Sequence, residues 1–256
     1  MKSTTHSSLF RYIERLQGDQ PWGELLDAGT GVKSIGWVAS LPTERWTAVT
    51  GAAGDAAKVH QTTQDIARPQ DQIVLGNWAD AGLLKDEVYD TVLADYLLGA
   101  VEGFAPCFQP YLFLRLRPLT RRRLYVIGVE PYVPAERPET RAGQLVWEIG
   151  RFRDACLLLA GEMPYREYPA PWVVDQLKRA GFAVRDMKSF AIQYKARFVN
   201  TQIDLCQPRL EQIDDRMLAQ ALRAKGEALR AEALDLIKAD GALRHGQDYV
   251  IAAEPV

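Results

Sequence analysis

The feature that most constrains the fold is a short apolar stretch that runs into a glycine-rich turn near the start of the chain. Residues 24–27 read Glu-Leu-Leu-Asp, and residues 28–31 read Ala-Gly-Thr-Gly. The first stretch predicts a short buried strand, and the apolar pattern from Ile35 onward predicts a helix. Glycines at positions 29 and 31 allow a sharp turn and let a ligand approach the backbone without meeting a Cβ atom. Strand, glycine turn and helix together predict a site for a nucleotide-like cofactor.

Asp27, the last residue of this predicted strand, indicates which kind of cofactor the turn binds. A dinucleotide would place its anionic pyrophosphate at the turn, and two like charges 4 Å apart repel by about 1 kcal/mol even in a water-like dielectric. The dinucleotide fingerprint G-x-G-x-x-G/A is also incomplete, because Ser34 occupies its third glycine position. A carboxylate here favours a ligand that carries positive charge.

Residues 26–31 resemble the first motif, D/E-x-G-x-G, of the class I (Rossmann-like) S-adenosylmethionine-dependent methyltransferases. S-adenosylmethionine carries an ammonium and a sulfonium, which suit the carboxylate of Asp27. Residues 89–93, Tyr-Asp-Thr-Val-Leu, resemble the fourth strand of that family, and residues 177–182 resemble the approach to its sixth strand. The first two motifs occur in the family's order and at its usual spacing, which strengthens the resemblance.

The resemblance implies an α/β fold with a seven-stranded, mostly parallel sheet, an antiparallel last strand and helices on both faces. We assign residues 1–192 and 247–256 to this core. Residues 193–246 separate two strands that the family often joins by a short hairpin, and an apolar stripe at helical spacing predicts helices in this insertion. The stripe consists of Leu218, Leu222, Leu229, Leu236 and Ile237. The insertion would cap the substrate pocket or form a homodimer contact, and the sequence leaves both open.

The resemblance also implies which residues bind S-adenosylmethionine and its product, S-adenosylhomocysteine. The family's ribose-binding carboxylate would fall at about Ala53, so Asp55 is a candidate substitute, or else it caps the next helix. Asn77 occupies a position where the family often has an acidic residue that contacts adenine, and its amide can accept and donate hydrogen bonds. Trp78 would stack on the adenine. The predicted cofactor-binding residues are Asp27, Ala28, Gly29, Thr30, Gly31, Asp55, Asn77, Trp78 and Asp95.

Asp95 and Tyr96 follow the fourth predicted strand, where the resembled family places residues that face the transferred methyl group. They are therefore the candidate catalytic residues. Residues 95–98 lack the two prolines of the N/D-P-P-Y/F motif of nucleobase amino-methyltransferases, which argues against a nucleobase amino group as acceptor. The leaving group of methyl transfer needs no protonation, so catalysis can rest largely on holding the reactants in line, with a general base as an option for oxygen or nitrogen acceptors.

Three further residues are candidate substrate contacts. Tyr12 lies on a predicted amphipathic helix that would pack over the mouth of the cofactor site. Glu130 and Tyr132 follow the fifth predicted strand, and ligands of open α/β sheets bind at that end of the strands. The apolar and aromatic stretch after the fourth strand favours an aromatic-lined pocket for a small-molecule acceptor, with the acceptor atom (O, N or S) left open.

Composition argues against several other functions. A net charge of −2 over 256 residues gives no broad basic surface for nucleic acid, and no apolar run reaches the length of a membrane span. Three widely spaced cysteines indicate neither a disulfide framework nor a metal site, so the reducing cytoplasm is the expected compartment. A protein or RNA methyltransferase, and a binding protein that kept the fold without catalysis, are the alternatives to a small-molecule enzyme.

Overall fold

A computed structural model describes residues 7–256 and shows an α/β fold built on a seven-stranded sheet. The first six residues of the predicted core lie outside the described residues. The strands are β1 (Glu24–Asp27), β2 (Arg45–Thr50), β3 (Gln72–Leu75), β4 (Tyr89–Asp95), β5 (Thr120–Val129), β6 (Phe182–Tyr194) and β7 (Leu243–Pro255). The helices are α1 (Ser8–Gln17), α2 (Val32–Val38), α3 (Ala53–Thr63), α4 (Leu97–Ala100), α5 (Gln109–Leu116), α6 (Arg141–Leu159), α7 (Ala170–Arg179), α8 (Ala196–Leu210) and α9 (Arg216–Asp240).

The strands are ordered β3-β2-β1-β4-β5-β7-β6 across the sheet. Six of them are parallel and β7 is antiparallel, which confirms the predicted fold class. The long helices α8 and α9 stand between β6 and β7, where the sequence predicted a helical insertion. The last strand begins at Leu243, so its first four residues fall within the segment 193–246 that was predicted as the insertion. Both β6 and β7 are long strands of thirteen residues.

The central position of β1 explains its apolar sequence. Leu26 lies opposite Thr47 of β2 on one side and Val92 of β4 on the other, and all three residues are buried. A parallel strand with neighbours on both sides is covered on both faces, so it is apolar throughout rather than alternating. The carboxyl ends of β1, β2 and β4 therefore lie at the same edge of the sheet, which brings the segments that follow them together.

The chain divides into two compact units. The first consists of the residues up to 128, Tyr168–Ser189 and Tyr249–Val256, and its apolar core includes residues of β1, β4, β5, α5 and α7. The second consists of Val129–Glu167 and Phe190–Asp248.

The second unit has an apolar core of its own, formed where α6 packs against α8 and α9. Ile149 of α6, Ile203 of α8 and Leu229 of α9 are among its fully buried members. Residues 129–167 thus group with the inserted helices, whereas the sequence analysis assigned them to the methyltransferase core. The physical reason is the apolar face of the 19-residue helix α6, which is covered by the inserted helices.

Gly128 of β5 is a position where the first unit leaves no room for an added side chain. A Cβ atom there would lie 2.3 Å from Cζ of Tyr249, whose ring is buried and whose hydroxyl donates a hydrogen bond to the Tyr168 carbonyl at 2.9 Å. We expect Gly128→Ala to lower the free energy of unfolding by about 1–3 kcal/mol through overpacking, as measured by urea denaturation. Gly54→Ala, where no described atom lies within 4 Å of the added Cβ, is the matched control. Equal midpoints for the two variants would contradict this prediction.

Candidate functional site

The glycine turn after β1 is fixed by backbone hydrogen bonds to the two neighbouring strands. The Ala28 N–H donates to the Leu93 carbonyl of β4 at 2.8 Å, and the Thr30 N–H donates to the Val49 carbonyl of β2 at 2.8 Å. The turn therefore continues the sheet for a few residues beyond β1, instead of lying as a loose loop above it.

The two glycines of the turn serve different purposes. At Gly29 an added Cβ would lie 2.8 Å from Cδ1 of Leu97, so the close approach of α4 excludes a side chain. At Gly31 an added Cβ would have no described atom within 4 Å. The φ of Gly31 is −135°, an extended value that any residue adopts. Gly29 is thus required by the packing of the protein itself, whereas Gly31 leaves an open cradle beside the turn.

The Asp27 carboxyl group is fully buried at the base of the turn, and neither of its oxygens has a hydrogen-bond partner of good geometry within residues 7–256. Burial raises the pKa of Asp27 to about 6, and the nearby Thr30 and Ser34 hydroxyls and Gly29 N–H offset this rise only in part. The Ser34 hydroxyl donates its single proton to the Gly31 carbonyl at 3.1 Å, so this proton is not available for a hydrogen bond to the Asp27 carboxylate. A buried carboxylate of this kind is stabilised by positive charge placed near it.

The end of β4 brings Asp95 and Tyr96 to the same edge of the sheet as the glycine turn. Asp27 lies opposite Leu93 in the β1–β4 pair, so Asp95 stands two residues farther along the neighbouring strand. Tyr96 has a left-handed backbone, with φ 49° and ψ 19°, and its N–H donates to the Ile127 carbonyl of β5 at 2.9 Å. This conformation costs a tyrosine about 1–2 kcal/mol, and strained residues of this kind concentrate at functional sites.

Comparison with known proteins rests on structure, since no protein-family model and no curated protein sequence matches this chain. A protein of Bacillus halodurans that is provisionally described as a methyltransferase superposes with a TM-score of 0.61 at 13% identity, over 97% of this chain and 99% of that chain. Mycolic acid cyclopropane synthase CmaA1, solved with SAH and CTAB, gives 0.56 at 18% identity, over 96% and 83%. Coclaurine N-methyltransferase, solved with N-methylheliamine and SAH, gives 0.53 at 13% identity, over 96% and 71%.

The chain has the class I methyltransferase fold. In this fold the edge of the sheet that carries the glycine turn is where the sequence analysis expected the cofactor, and Asp27, Ala28, Gly29, Thr30, Gly31, Asp95 and Tyr96 all lie at that edge.

Trp78 supports the turn from the interior of the methyltransferase fold. Its side chain is 4% exposed within the apolar core, and its indole N–H donates to the Ala28 carbonyl at 2.6 Å. The ring thus presents almost no surface to a ligand, in contrast to the predicted stacking on adenine. The sequence located Trp78 correctly after β3, but the direction of its side chain depends on the tertiary packing.

Phe104 is the aromatic residue that the sequence analysis did not assign to the site. Its ring covers Gly51 at the end of β2, where an added Cβ would lie 2.7 Å from Cδ1 of the ring, and it is 40% exposed. Its carbonyl accepts a hydrogen bond from the Asn77 side chain at 2.7 Å. The aromatic composition of residues 97–117 was the available signal, but nothing in that stretch marks Phe104 above its neighbours.

Asn77 and Asp55 are both engaged in local interactions. The Asn77 amide donates to Phe104, and its side-chain oxygen accepts from the Ala79 N–H at 3.0 Å; one amide hydrogen and one lone pair remain for a ligand. Asp55 lies in the first turn of α3, exposed to solvent, and forms an ion pair with Lys58 at 2.9 Å. The predicted alternative role as the helix cap is wrong, because Ala52 occupies the N-cap position.

The three predicted substrate contacts lie in different parts of the chain. Tyr12 of α1 is hydrogen-bonded to Asp186 of β6, within the first unit, so its hydroxyl has a partner inside the protein. Glu130 and Tyr132 belong to the second unit. The Glu130 N–H donates to the Gln247 carbonyl at 2.8 Å, and the Tyr132 hydroxyl accepts a hydrogen bond from Arg153. Over residues 7–256, no group of three or more His, Cys, Asp and Glu side chains is placed to bind a metal ion.

Proposed function

We propose that this protein is an S-adenosylmethionine-dependent methyltransferase that acts on a small-molecule acceptor. The observation that carries the proposal is the buried Asp27 carboxylate without a hydrogen-bond partner, at the base of a glycine turn that leaves an open cradle at Gly31. A fold alone does not specify an activity, whereas this combination matches the charge and the space that the cofactor requires.

The residues at the carboxyl edge of the sheet fit the parts of S-adenosylmethionine. The methionine part suits the cradle at Gly31, where its ammonium and the sulfonium would lower the free energy of the ionised Asp27. The adenine suits the exposed ring of Phe104 and the remaining hydrogen-bonding groups of Asn77. Asp55 is the nearest carboxylate in sequence to the position expected for ribose binding, and it would exchange its exposed pair with Lys58 for the ribose hydroxyls.

Asp95 and Tyr96 are proposed to position the acceptor. S-adenosylmethionine supplies an activated methyl group, whose bond to sulfur breaks as a lone pair of the acceptor bonds to its carbon. The backbone hydrogen bond from Tyr96 to Ile127 and its left-handed conformation fix the direction of its Cα–Cβ bond. A fixed side chain holds the acceptor in line at little entropic cost, which is where most of the rate gain of such a reaction arises.

A small-molecule acceptor is supported by the solved structures of similar fold. Coclaurine N-methyltransferase was solved with N-methylheliamine, and another protein of similar fold is a mycolic acid cyclopropane synthase. One observation favours a second candidate, a protein that binds S-adenosylmethionine without catalysis. The position of the ribose carboxylate is occupied by Ala53, and the substitute Asp55 is exposed and paired with Lys58.

Isothermal titration calorimetry of the full chain with S-adenosylmethionine and S-adenosylhomocysteine tests the proposal. We expect micromolar dissociation constants for both ligands, followed by transfer of a labelled methyl group to a member of a panel of small amines, alcohols and thiols. A folded protein that binds neither ligand would overturn the proposal. Binding of both ligands with no transfer across the panel would favour the non-catalytic candidate.

The cellular setting and the assembly of the protein stay predictions. Cys107, Cys156 and Cys206 are free thiols, and the reducing cytoplasm is the compartment that we propose. In the part of the chain that the structure describes, helices long and apolar enough to cross a bilayer are absent. For residues 193–246 we retain both proposed roles, a cap of the substrate pocket and a homodimer contact.

A further inference from the structure

The second unit contains a cavity of about 280 Å³, close to the lower end of the range of roughly 300–1,000 Å³ that is typical of small-molecule sites. Its walls come from the segment after β5, from α6 and from the segment before α7. The residues that decide its chemistry are Tyr132, Arg153, Asp154, Tyr165 and Glu167.

Arg153 is the buried cation of the cavity, and its hydrogen-bonding groups are already used. Its side chain is 11% exposed. Its Nε and Nη2 atoms donate to one Asp154 oxygen at 2.9 and 2.6 Å, and Nη1 donates to Gln202 at 2.9 Å and to the Tyr132 hydroxyl. A guanidinium has five N–H donors, and four hydrogen bonds satisfy most of them. Arg153 is therefore a structural cation and not a free site for an anionic ligand.

Glu167 is the group of the cavity that lacks a partner. Among the described residues it makes no hydrogen bond or ion pair, although it is largely withdrawn from solvent. The pKa of Glu167 is raised to about 7, chiefly because the carboxyl group is buried; Arg153 opposes this rise, and Asp248 and Asp154 contribute to it. Arg166, on the same wall, is exposed and already takes part in another interaction. The cavity lining thus contains two carboxylates, Asp154 and Glu167, and two guanidinium groups, Arg153 and Arg166. Asp154 is paired with Arg153, so within the described part of the chain Glu167 is the carboxylate of the lining that is left without an ion pair.

Tyrosine rings supply the rest of the recognition surface. Tyr132 has the Arg153 guanidinium 5.7 Å from its ring centre and Tyr194 6.3 Å away, so it is fixed on that side. Tyr165 is 54% exposed and forms part of the cavity wall. Aromatic faces and a carboxylate are the combination that attracts an alkylammonium group, since the ring quadrupole and the charge both favour a cation.

We propose that this cavity binds a small organic cation, an amine whose ammonium group contacts Glu167 and the tyrosine rings of the wall. Binding would give Glu167 the partner it lacks. The site stands by itself as a binding site, whereas the identification of the bound amine as the methyl acceptor rests on the proposed function.

Titration calorimetry of the full chain with three probes of equal shape tests this assignment. The probes are 2-phenylethylamine, neutral 2-phenylethanol and anionic 3-phenylpropionate, used at pH 8, at low salt and without S-adenosylmethionine. We expect the amine to bind at least tenfold more tightly than the alcohol, and the carboxylate to give no heat of binding. The proposal would be overturned if the carboxylate bound more tightly than the amine, or if the amine and the alcohol bound equally. It would also be overturned if none of the three probes bound.

Variants locate the binding in the cavity. Glu167→Gln is expected to reduce the affinity for 2-phenylethylamine at least tenfold, whereas Glu136→Gln, which removes an exposed carboxylate of the same unit, should leave it unchanged. Tyr165→Ala removes an exposed ring, is expected to fold normally and should weaken binding several-fold. Unchanged affinity in both Glu167→Gln and Tyr165→Ala would overturn the assignment. Titration of the same samples with S-adenosylmethionine distinguishes the amine site from the proposed cofactor site. A variant that no longer binds the amine can still be tested for S-adenosylmethionine binding, and the reverse also holds.

Discussion

Asp27→Asn is expected to weaken S-adenosylmethionine binding by a factor of about 10–100 while the protein remains folded. The substitution keeps the shape of the side chain and removes the charge that a cationic ligand would stabilise, an interaction worth about 1.5–3 kcal/mol for charged groups. Calorimetric titration at pH 8 measures the effect. Asp19→Asn, which removes an exposed carboxylate from the same unit, is the matched control and should bind as the unaltered chain does. Equal affinities of the two variants for S-adenosylmethionine would show that the charge of Asp27 does not contribute to binding.

The same substitution has a pH-dependent effect on stability that does not require any ligand. The folded-state pKa of Asp27, about 6, lies above its ordinary value of 3.8, so the native state binds more protons than the unfolded state between these pH values. Stability of the unaltered chain therefore falls as the pH rises through this window, by roughly 3 kcal/mol for a shift of about two pKa units. The Asp27→Asn variant has no carboxyl group at this position, so its stability does not show this decrease.

Urea denaturation at pH 4 and pH 8 measures this pH-dependent contribution of Asp27 to the free energy of unfolding. The difference in unfolding free energy, unaltered chain minus Asp27→Asn, is expected to decrease by roughly 3 kcal/mol from the lower to the higher pH. The comparison cancels the pH-independent cost of burying an amide in place of a carboxyl group. A difference that does not change with pH would mean that Asp27 has an ordinary pKa in the folded protein.

Gly31→Val is the second substitution for which we expect a large effect, and this effect falls on binding rather than on folding. No described atom lies within 4 Å of the added Cβ, and the extended backbone at Gly31 accepts a valine, so we expect a change in unfolding free energy below about 1 kcal/mol, arising from the less favourable helix cap. A ligand that occupies the cradle would meet the new side chain, and an overpacking cost of about 1–3 kcal/mol corresponds to a loss in affinity of up to about 100-fold.

Two further glycine variants serve as references for this experiment. Gly29→Ala is expected to lower stability, because its Cβ would lie 2.8 Å from Leu97. Gly36→Ala, in the interior of α2 and also with open space around the added Cβ, should raise stability by about 0.5–1 kcal/mol and leave affinity unchanged. If Gly31→Val binds S-adenosylmethionine as tightly as Gly36→Ala does, the cofactor does not occupy the cradle.

The strands were predictable because the signals that specify them are local. The central strands are short, continuous apolar runs, as parallel strands covered on both faces must be, and glycine turns separate them from the helices. The helices of the insertion were predictable from the spacing of its leucines. The position of the glycine turn was predictable for the same reason, since Asp27 to Gly31 are contiguous and their positions follow from β1.

Contacts between distant parts of the chain were not predictable in this way. An apolar face on α6 indicates that the helix is buried, but it does not indicate that α8 and α9, rather than the sheet helices, cover it. The pairing of Tyr12 with Asp186 joins residues 174 positions apart. Arg153 and Glu167 carry no local pattern that distinguishes them from exposed charges, and their surroundings become apparent only when the segments of the second unit are assembled.

The backbone hydrogen bonds of Ala28 and Thr30 also determine how the turn responds to a ligand. Their N–H groups donate to carbonyls of β4 and β2, so both amides should exchange slowly with deuterium in the free protein. Binding then orders few residues, and the entropic cost of association is correspondingly small. The association rate should therefore be governed by diffusional encounter and not by a rearrangement of the turn.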